Sequence, residues 1–187
     1  MIEGLREQEV AKYVACYKSP DYRMGLKRRH HIEIGLSGLE PGTLLDVGCG
    51  RRETIKMSEK MGFFDVRGVE AVPYLCDGEQ VFQGFAHNLP FGDKSFDVVT
   101  MFDVIEHLVP QDTDAVCSEL ERVATKNILL TVHNGSSKFG NVELHINRKE
   151  SYQEWFDYFT QKFTGAVEWL PRHGSISEMF KVTYGSR

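Results

Sequence analysis

Two glycines and one acid stand at a spacing that can do chemistry. In Asp46-Val47-Gly48-Cys49-Gly50 the glycines permit a tight turn and close approach of a ligand to the backbone, and a helix after them offers unpaired N–H groups. Glu70 follows about twenty residues later, where a carboxylate can accept two hydrogen bonds from the vicinal hydroxyls of a ribose. Together they read a nucleoside. Asp46, just ahead of the turn, repels phosphates and suits a ligand that carries an ammonium group. A dinucleotide fingerprint needs glycine where this chain has Glu53, which would crowd helix against strand and set negative charge beside a pyrophosphate. That weakens NAD, and the missing Gly-Lys-Ser/Thr excludes a P-loop. His107, His133 and His145 supply rings that titrate near neutrality, with His107 the best placed to take a proton from a hydroxyl.

These residues need strands and helices to position them. Thr43-Leu44-Leu45-Asp46-Val47 is a short apolar run of the kind buried on both faces of a sheet, and residues 52 to 61 read as a helix closed by Gly62. Asp65 to Glu70 gives a second strand, Gln80 to Gln83 a third and Phe96 to Phe102 a fourth. Helical spacing at Val116, Leu120 and Val123 precedes another strand at Ile128 to Val132. Tyr152, Trp155, Phe156, Phe159 and Phe163 share one helix face, read as core, ahead of strands at Ala166 to Leu170 and Ile176 to Tyr184. The first forty residues carry two helices broken at Ser19-Pro20. The alternation implies an α/β, Rossmann-like doubly wound sheet of seven mostly parallel strands, the last antiparallel, with helices on both faces. Ligands of such sheets bind beyond the carboxyl ends of the strands.

The 187 residues fit a single domain, spanning 1–187. A net charge of −5 disfavours nonspecific nucleic-acid binding, and the basic run Lys27 to His31 reads as the solvated side of a helix. No apolar stretch is long enough to span a bilayer, and the polar start lacks the layout of a secretory signal, so a cytoplasmic protein is expected. Cys16, Cys49, Cys76 and Cys117 are scattered without a C-x-x-C pair, so neither a metal site nor a disulfide framework is expected. Asn134-Gly135-Ser136 matches a glycosylation acceptor that has no use without a secretory route.

Leu44 to Gly50, Gly68-Val69-Glu70, Leu89-Pro90-Phe91 with Ser95 to Val99, and Asp103-Val104-Ile105-Glu106-His107-Leu108 occur in that order. In this the chain resembles the class I S-adenosylmethionine-dependent methyltransferases of the small-molecule "type 11" sort, most closely over residues 43 to 133. The resemblance implies that Asp46, Gly48 and Gly50 meet the methionine part of the cofactor, that Glu70 holds its ribose, and that Cys49 and Ala71 also belong to the cofactor site. Ala86 and His87 would border the adenine, Phe102 and Asp103 would line the methyl-donor pocket, and His107 would face the substrate as a base. Arg52 stands where the family usually keeps its third loop glycine. Phe85 replaces an acid for the adenine amino group and is expected to pack on the purine instead. The stretch from Ala71 to Glu79 is short for a crossover helix. Residues 1–40 would act as a cap over a core at 43–187, and 134–149 as a second lid segment. Tyr13, Tyr17, Tyr22 and Arg23 either cap the cofactor or pack the first helices on the sheet. The expected reaction is methyl transfer to the O or N atom of a small molecule, with an RNA or protein acceptor as the variant. The alternatives are a non-catalytic S-adenosylmethionine-binding sensor or partner subunit, and an NAD-dependent oxidoreductase.

Overall fold

The computed structural model describes residues 2–22, 28–170 and 176–185. Helices α1 (Ile2–Lys18) and α2 (Arg28–Leu36) precede β1 (Thr43–Val47), α3 (Glu53–Lys60), β2 (Phe64–Glu70), β3 (Val81–Gln83) and β4 (Phe96–Phe102). Then come α4 (Thr113–Val123), β5 (Ala124–Val132), a small hairpin of β6 (Lys138–Phe139) and β7 (Val142–Glu143), α5 (Tyr152–Lys162), β8 (Ala166–Leu170) and β9 (Glu178–Thr183).

The seven-stranded sheet has the order β3-β2-β1-β4-β5-β9-β8. Pairs β1–β2, β1–β4, β2–β3 and β4–β5 are parallel, and β9 runs antiparallel to both neighbours. This is the Rossmann-like architecture expected from the sequence, including the antiparallel final strand. Successive residues in a strand point to opposite faces, and the core divides accordingly. Leu44, Val98, Phe102, Leu129 and Met179 join Ile32 and Leu36 of α2 and Ile55 of α3 on one face. Leu45, Val99, Met101, Leu130 and Phe180 join Val116 and Leu120 of α4 and Trp155 and Phe159 of α5 on the other. The aromatic stripe of α5 is core, as expected, and Ser151 caps that helix by accepting the Glu154 N–H at 3.2 Å.

Two elements differ from the sequence reading. The 138–143 hairpin carries no periodicity long enough to announce a strand, and β5 begins four residues early because Ala124 already pairs with Phe96. Between β2 and β3 a turn at Pro73–Leu75 replaces the crossover helix. Asp77 holds the link: its Oδ1 accepts the N–H groups of Glu79, Gln80 and Val81 at 2.9 Å each. With β2 on one side of β1 and β4 on the other, the connections diverge at β1, and a crevice opens at the ends of these strands.

Candidate active site

The crevice encloses about 890 Å³ of empty space, the open solvent at its mouth included. Gly48, Val69, Glu70 and Ala71 form its floor on the β1–β2 side. Asp103, Val104 and His107 form the β4 side, and Phe85, Ala86 and His87 one end. Arg6, Tyr13 and Tyr17 of α1, with Tyr22 after it, close it from above.

On the floor the chain is set by main-chain bonds. Gly48 and Cys49 donate their N–H groups to the Val69 carbonyl at 2.8 and 3.2 Å, which docks the turn after β1 onto the end of β2. Gly48 sits at φ 74°, and a Cβ there would come within 2.6 Å of Val104 Cγ2, so both the backbone conformation and the space demand glycine. The Glu70 carboxylate is buried and accepts the N–H of Gly50 at 2.9 Å and that of Val72 at 3.0 Å. Each oxygen keeps acceptor capacity, and the residue lines the cavity.

Four expected cofactor contacts stand back from the cavity wall. Asp46 is buried beneath the turn, where its Oδ1 accepts the Thr100 hydroxyl at 2.7 Å. Cys49 packs in the core beside Gly68, and burial pushes its thiol up from the ordinary value. Gly50 reaches the site through its bond to Glu70, and Phe102 belongs to the core face shared with α2. Arg52 adopts the left-handed φ of 67° that glycine would take at no cost. Its guanidinium turns to Asp77 at 2.6 Å and to the Leu75 carbonyl at 3.2 Å, so it braces the short link and leaves the cavity clear.

Across the cavity, Asp103 holds a left-handed φ of 51°, a strained conformation for a residue with a side chain. Thr131 fixes it: the Asp103 N–H donates to Thr131 Oγ1 at 2.9 Å, and that hydroxyl donates to Asp103 Oδ1 at 2.8 Å. His107 is buried, with Nδ1 3.0 Å from the Leu144 carbonyl and 2.6 Å from the Tyr13 hydroxyl. His145 packs edge-on against both His107 and His133, and burial pulls its imidazole below the usual value while the Gly135 carbonyl opposes that shift. Phe85 and His87 stack at 5.5 Å at the cavity's end.

The sequence missed the fastening of the cap. Arg6 donates Nε and Nη2 to the two Asp112 oxygens at 2.8 and 2.6 Å, a bidentate pair that holds α1 on the turn before α4 and keeps the Asp112 carboxyl below the usual range. Nothing in the spacing of residues 106 apart could announce it. The solvated reading of the basic run holds for the exposed Arg29 and His30, but His31 is buried with Nδ1 3.8 Å from Asp103 Oδ2. Alternation on a helix explains the split, since His31 and Ile32 turn toward the sheet. Arg23 and Lys27 lie outside the described residues.

Residues 45–131 match the family model described as "Methyltransferase domain". Over that stretch, just under half of its length, the chain matches a methyltransferase domain. The donor in such a domain is S-adenosylmethionine. The comparison with curated proteins gives no match. Among solved structures, the fold is similar to that of DhpI in complex with SAH, with TM-score 0.76, 15% identity and all of both chains covered. It is similar to the Burkholderia thailandensis 1,6-didemethyltoxoflavin-N1-methyltransferase, solved with 1,6-didemethyltoxoflavin and S-adenosylhomocysteine, with TM-score 0.74 and 16% identity over 98% of this chain and 89% of that one. The PH0226 protein of Pyrococcus horikoshii OT3 gives TM-score 0.65 and 19% identity over 86% of this chain and 92% of that one. At these identities the structural likeness speaks for the fold. Among the described residues no helix is long and apolar enough to cross a membrane.

Proposed function

We propose that this methyltransferase domain moves the methyl group of S-adenosylmethionine to an O or N atom of a small molecule by in-line displacement. One observation carries the reading: the Glu70 carboxylate sits at the end of β2 beside the Gly48 turn and lines a cavity whose opposite wall is Asp103 and His107. In this reading Glu70 accepts the ribose hydroxyls, Ala71 flanks the sugar, and the methionine tail lies on the turn at Gly48. Cys49, Gly50 and Asp46 support that turn from behind. Ala86 and His87 border the adenine, with Phe85, stacked on His87, offering a ring to the purine. The sulfonium methyl then faces Asp103, with Phe102 behind it.

The sulfonium is already an activated donor, so orientation and exclusion of water carry most of the rate. Residues 1–40 serve as the cap within one domain, and their Tyr13, Tyr17 and Tyr22 rings supply the dry side of the site. A small acceptor is in line with the Burkholderia neighbour, which was solved with 1,6-didemethyltoxoflavin. For a hydroxyl acceptor, His107 is the wall residue that bears on its proton.

Calorimetric binding of S-adenosylmethionine and S-adenosylhomocysteine to the full chain tests the donor assignment, with micromolar binding of both expected and NAD binding in their place overturning it. Turnover with a panel of small hydroxyl and amine nucleophiles, read by mass, then tests catalysis; binding without turnover of any acceptor identifies a sensor or partner subunit.

A further inference from the structure

At the His107 side of the cavity, Glu106 and His145 converge on His107. One ligand atom from each lies within 4.8 Å of the others, and all three residues are buried. Methyl transfer as described above uses neither Glu106 nor His145. The two rings are held in the way metal ligands are held. His145 Nδ1 is 2.6 Å from the Gly135 carbonyl, and His107 Nδ1 is 3.0 Å from the Leu144 carbonyl. A carbonyl only accepts, and the Tyr13 hydroxyl 2.6 Å from His107 Nδ1 gives its own proton to the Leu144 carbonyl at 3.3 Å, so both Nδ1 atoms are assigned the proton and Nε2 is the ligating nitrogen, the tautomer that an outer carbonyl selects for a ligating histidine.

The two segments that bear these side chains are also strapped together. The Glu106 carbonyl accepts the N–H groups of Ile146 and Asn147 at 3.0 Å each, and the Asn147 amide donates to the Ile105 carbonyl and the Thr113 hydroxyl at 3.0 Å each. One Glu106 carboxylate oxygen accepts the His133 N–H at 2.9 Å, which orients the group. Such outer bonds fix ligands before any ion arrives.

We propose that Glu106, His107 and His145 bind a divalent transition-series cation through one carboxylate oxygen and two Nε2 atoms, and that this cation holds the hydroxyl oxygen of the acceptor. The acceptor role rests on the methyl-transfer reading; the cation site does not. Two imidazoles and a carboxylate suit ions from manganese to zinc better than calcium or magnesium, which prefer all-oxygen shells. Three protein ligands leave positions for an exogenous oxygen. The bound hydroxyl gives its proton to water more readily than a free one. Its oxygen then forms a bond to the sulfonium methyl while the carbon–sulfur bond breaks and its electron pair stays on sulfur. The products are a methyl ether, S-adenosylhomocysteine and one proton. His107 thus acts on the acceptor's proton as a ligand instead of as the base expected from sequence.

The test titrates the full chain with Co²⁺, read by visible d–d absorption and equilibrium dialysis, beside calorimetry with S-adenosylhomocysteine. One cobalt per chain is expected, displaced by Zn²⁺, with affinity falling in His145→Gln and Glu106→Gln by more than the roughly ten- to hundredfold that loss of an outer-shell partner costs, while S-adenosylhomocysteine still binds. Because these side chains are buried, the wild-type chain supplies a second readout: Zn²⁺ should shift the ring nitrogen resonances of His107 and His145 and leave those of exposed His30 in place. A chain that binds S-adenosylhomocysteine but takes up no stoichiometric cobalt, or takes it up without moving either ring, overturns the site. Cobalt binding at these rings in a chain that binds no S-adenosylhomocysteine leaves the cation site standing and overturns the methyl-transfer reading.

Discussion

The floor of the cavity and its roof are built by different means. The floor is built from main-chain donors close to the strand ends: the Gly48 and Cys49 N–H groups on the Val69 carbonyl, and the Gly50 and Val72 N–H groups on the Glu70 carboxylate. The roof, α1, is fastened by side chains to distant parts of the chain. Arg6 grips Asp112, Tyr13 meets His107, the Tyr74 hydroxyl donates to the Val14 carbonyl at 2.9 Å and Arg51 donates to the Tyr17 carbonyl at 2.9 Å. Main-chain bonding within a sheet opens only with the sheet, whereas a helix held by a few side chains can open alone. The floor is therefore expected to be the more rigid half, and the roof the half that can open by itself.

Changes to the floor should cost the most. Glu70→Ala removes charge-assisted hydrogen bonds worth about 1.5 to 3 kcal/mol each, so S-adenosylhomocysteine affinity measured by calorimetry should fall at least about tenfold. Unchanged affinity would take Glu70 out of the site. Gly48→Ala forces a Cβ into Val104 at an unfavourable φ and should destabilise the chain by about 1 to 3 kcal/mol, seen as a lower midpoint in urea together with weaker ligand binding.

Changes to the roof should alter rates more than the sheet. Arg6→Ala should release S-adenosylhomocysteine severalfold faster in stopped flow while amide protection in β1, β2 and β4 stays as it was; lost protection in those strands would erase the distinction between the two halves. Tyr13→Phe removes one hydroxyl from between His107 and Leu144 and should cost about 0.5 to 1.5 kcal/mol in the docking of α1, read from its amide exchange.

The smallest effect concerns pH. Asp112 is held below its ordinary range mainly by the Arg6 hydrogen bonds, with His87 Nδ1 also 3.7 Å from the same carboxylate. A depressed carboxyl stabilises above its unfolded value of about 3.9 and stops doing so as pH falls through its folded value. Exchange protection of α1 should accordingly hold steady from neutral pH down to about 4 and decline only below it. A decline that begins near pH 6 would assign the fastening to a histidine instead.

The floor was legible in the sequence because its signals are local. Gly48, Gly50 and Glu70 lie on consecutive strand ends, and parallel strands with a right-handed crossover bring such ends together without further information. The role of Asp46 was less legible: a carboxylate before the turn reads as a ligand contact, yet Thr100, opposite it on β4, draws it into the sheet. His31 was passed over because a polar residue inside a polar run gives no sign that its own side chain turns inward. The roof was illegible for a different reason. Arg6 and Asp112, or Tyr13 and His107, are brought together only by the tertiary fold, and no periodicity records pairs that far apart.

The short link after β2 has a further effect at the margin of the sheet. Without a crossover helix to lengthen it, β3 presents only three residues along that border, too few backbone groups to recruit a strand from another molecule. The opposite border, β8, presents five. Any association of copies through sheet extension would have to start there.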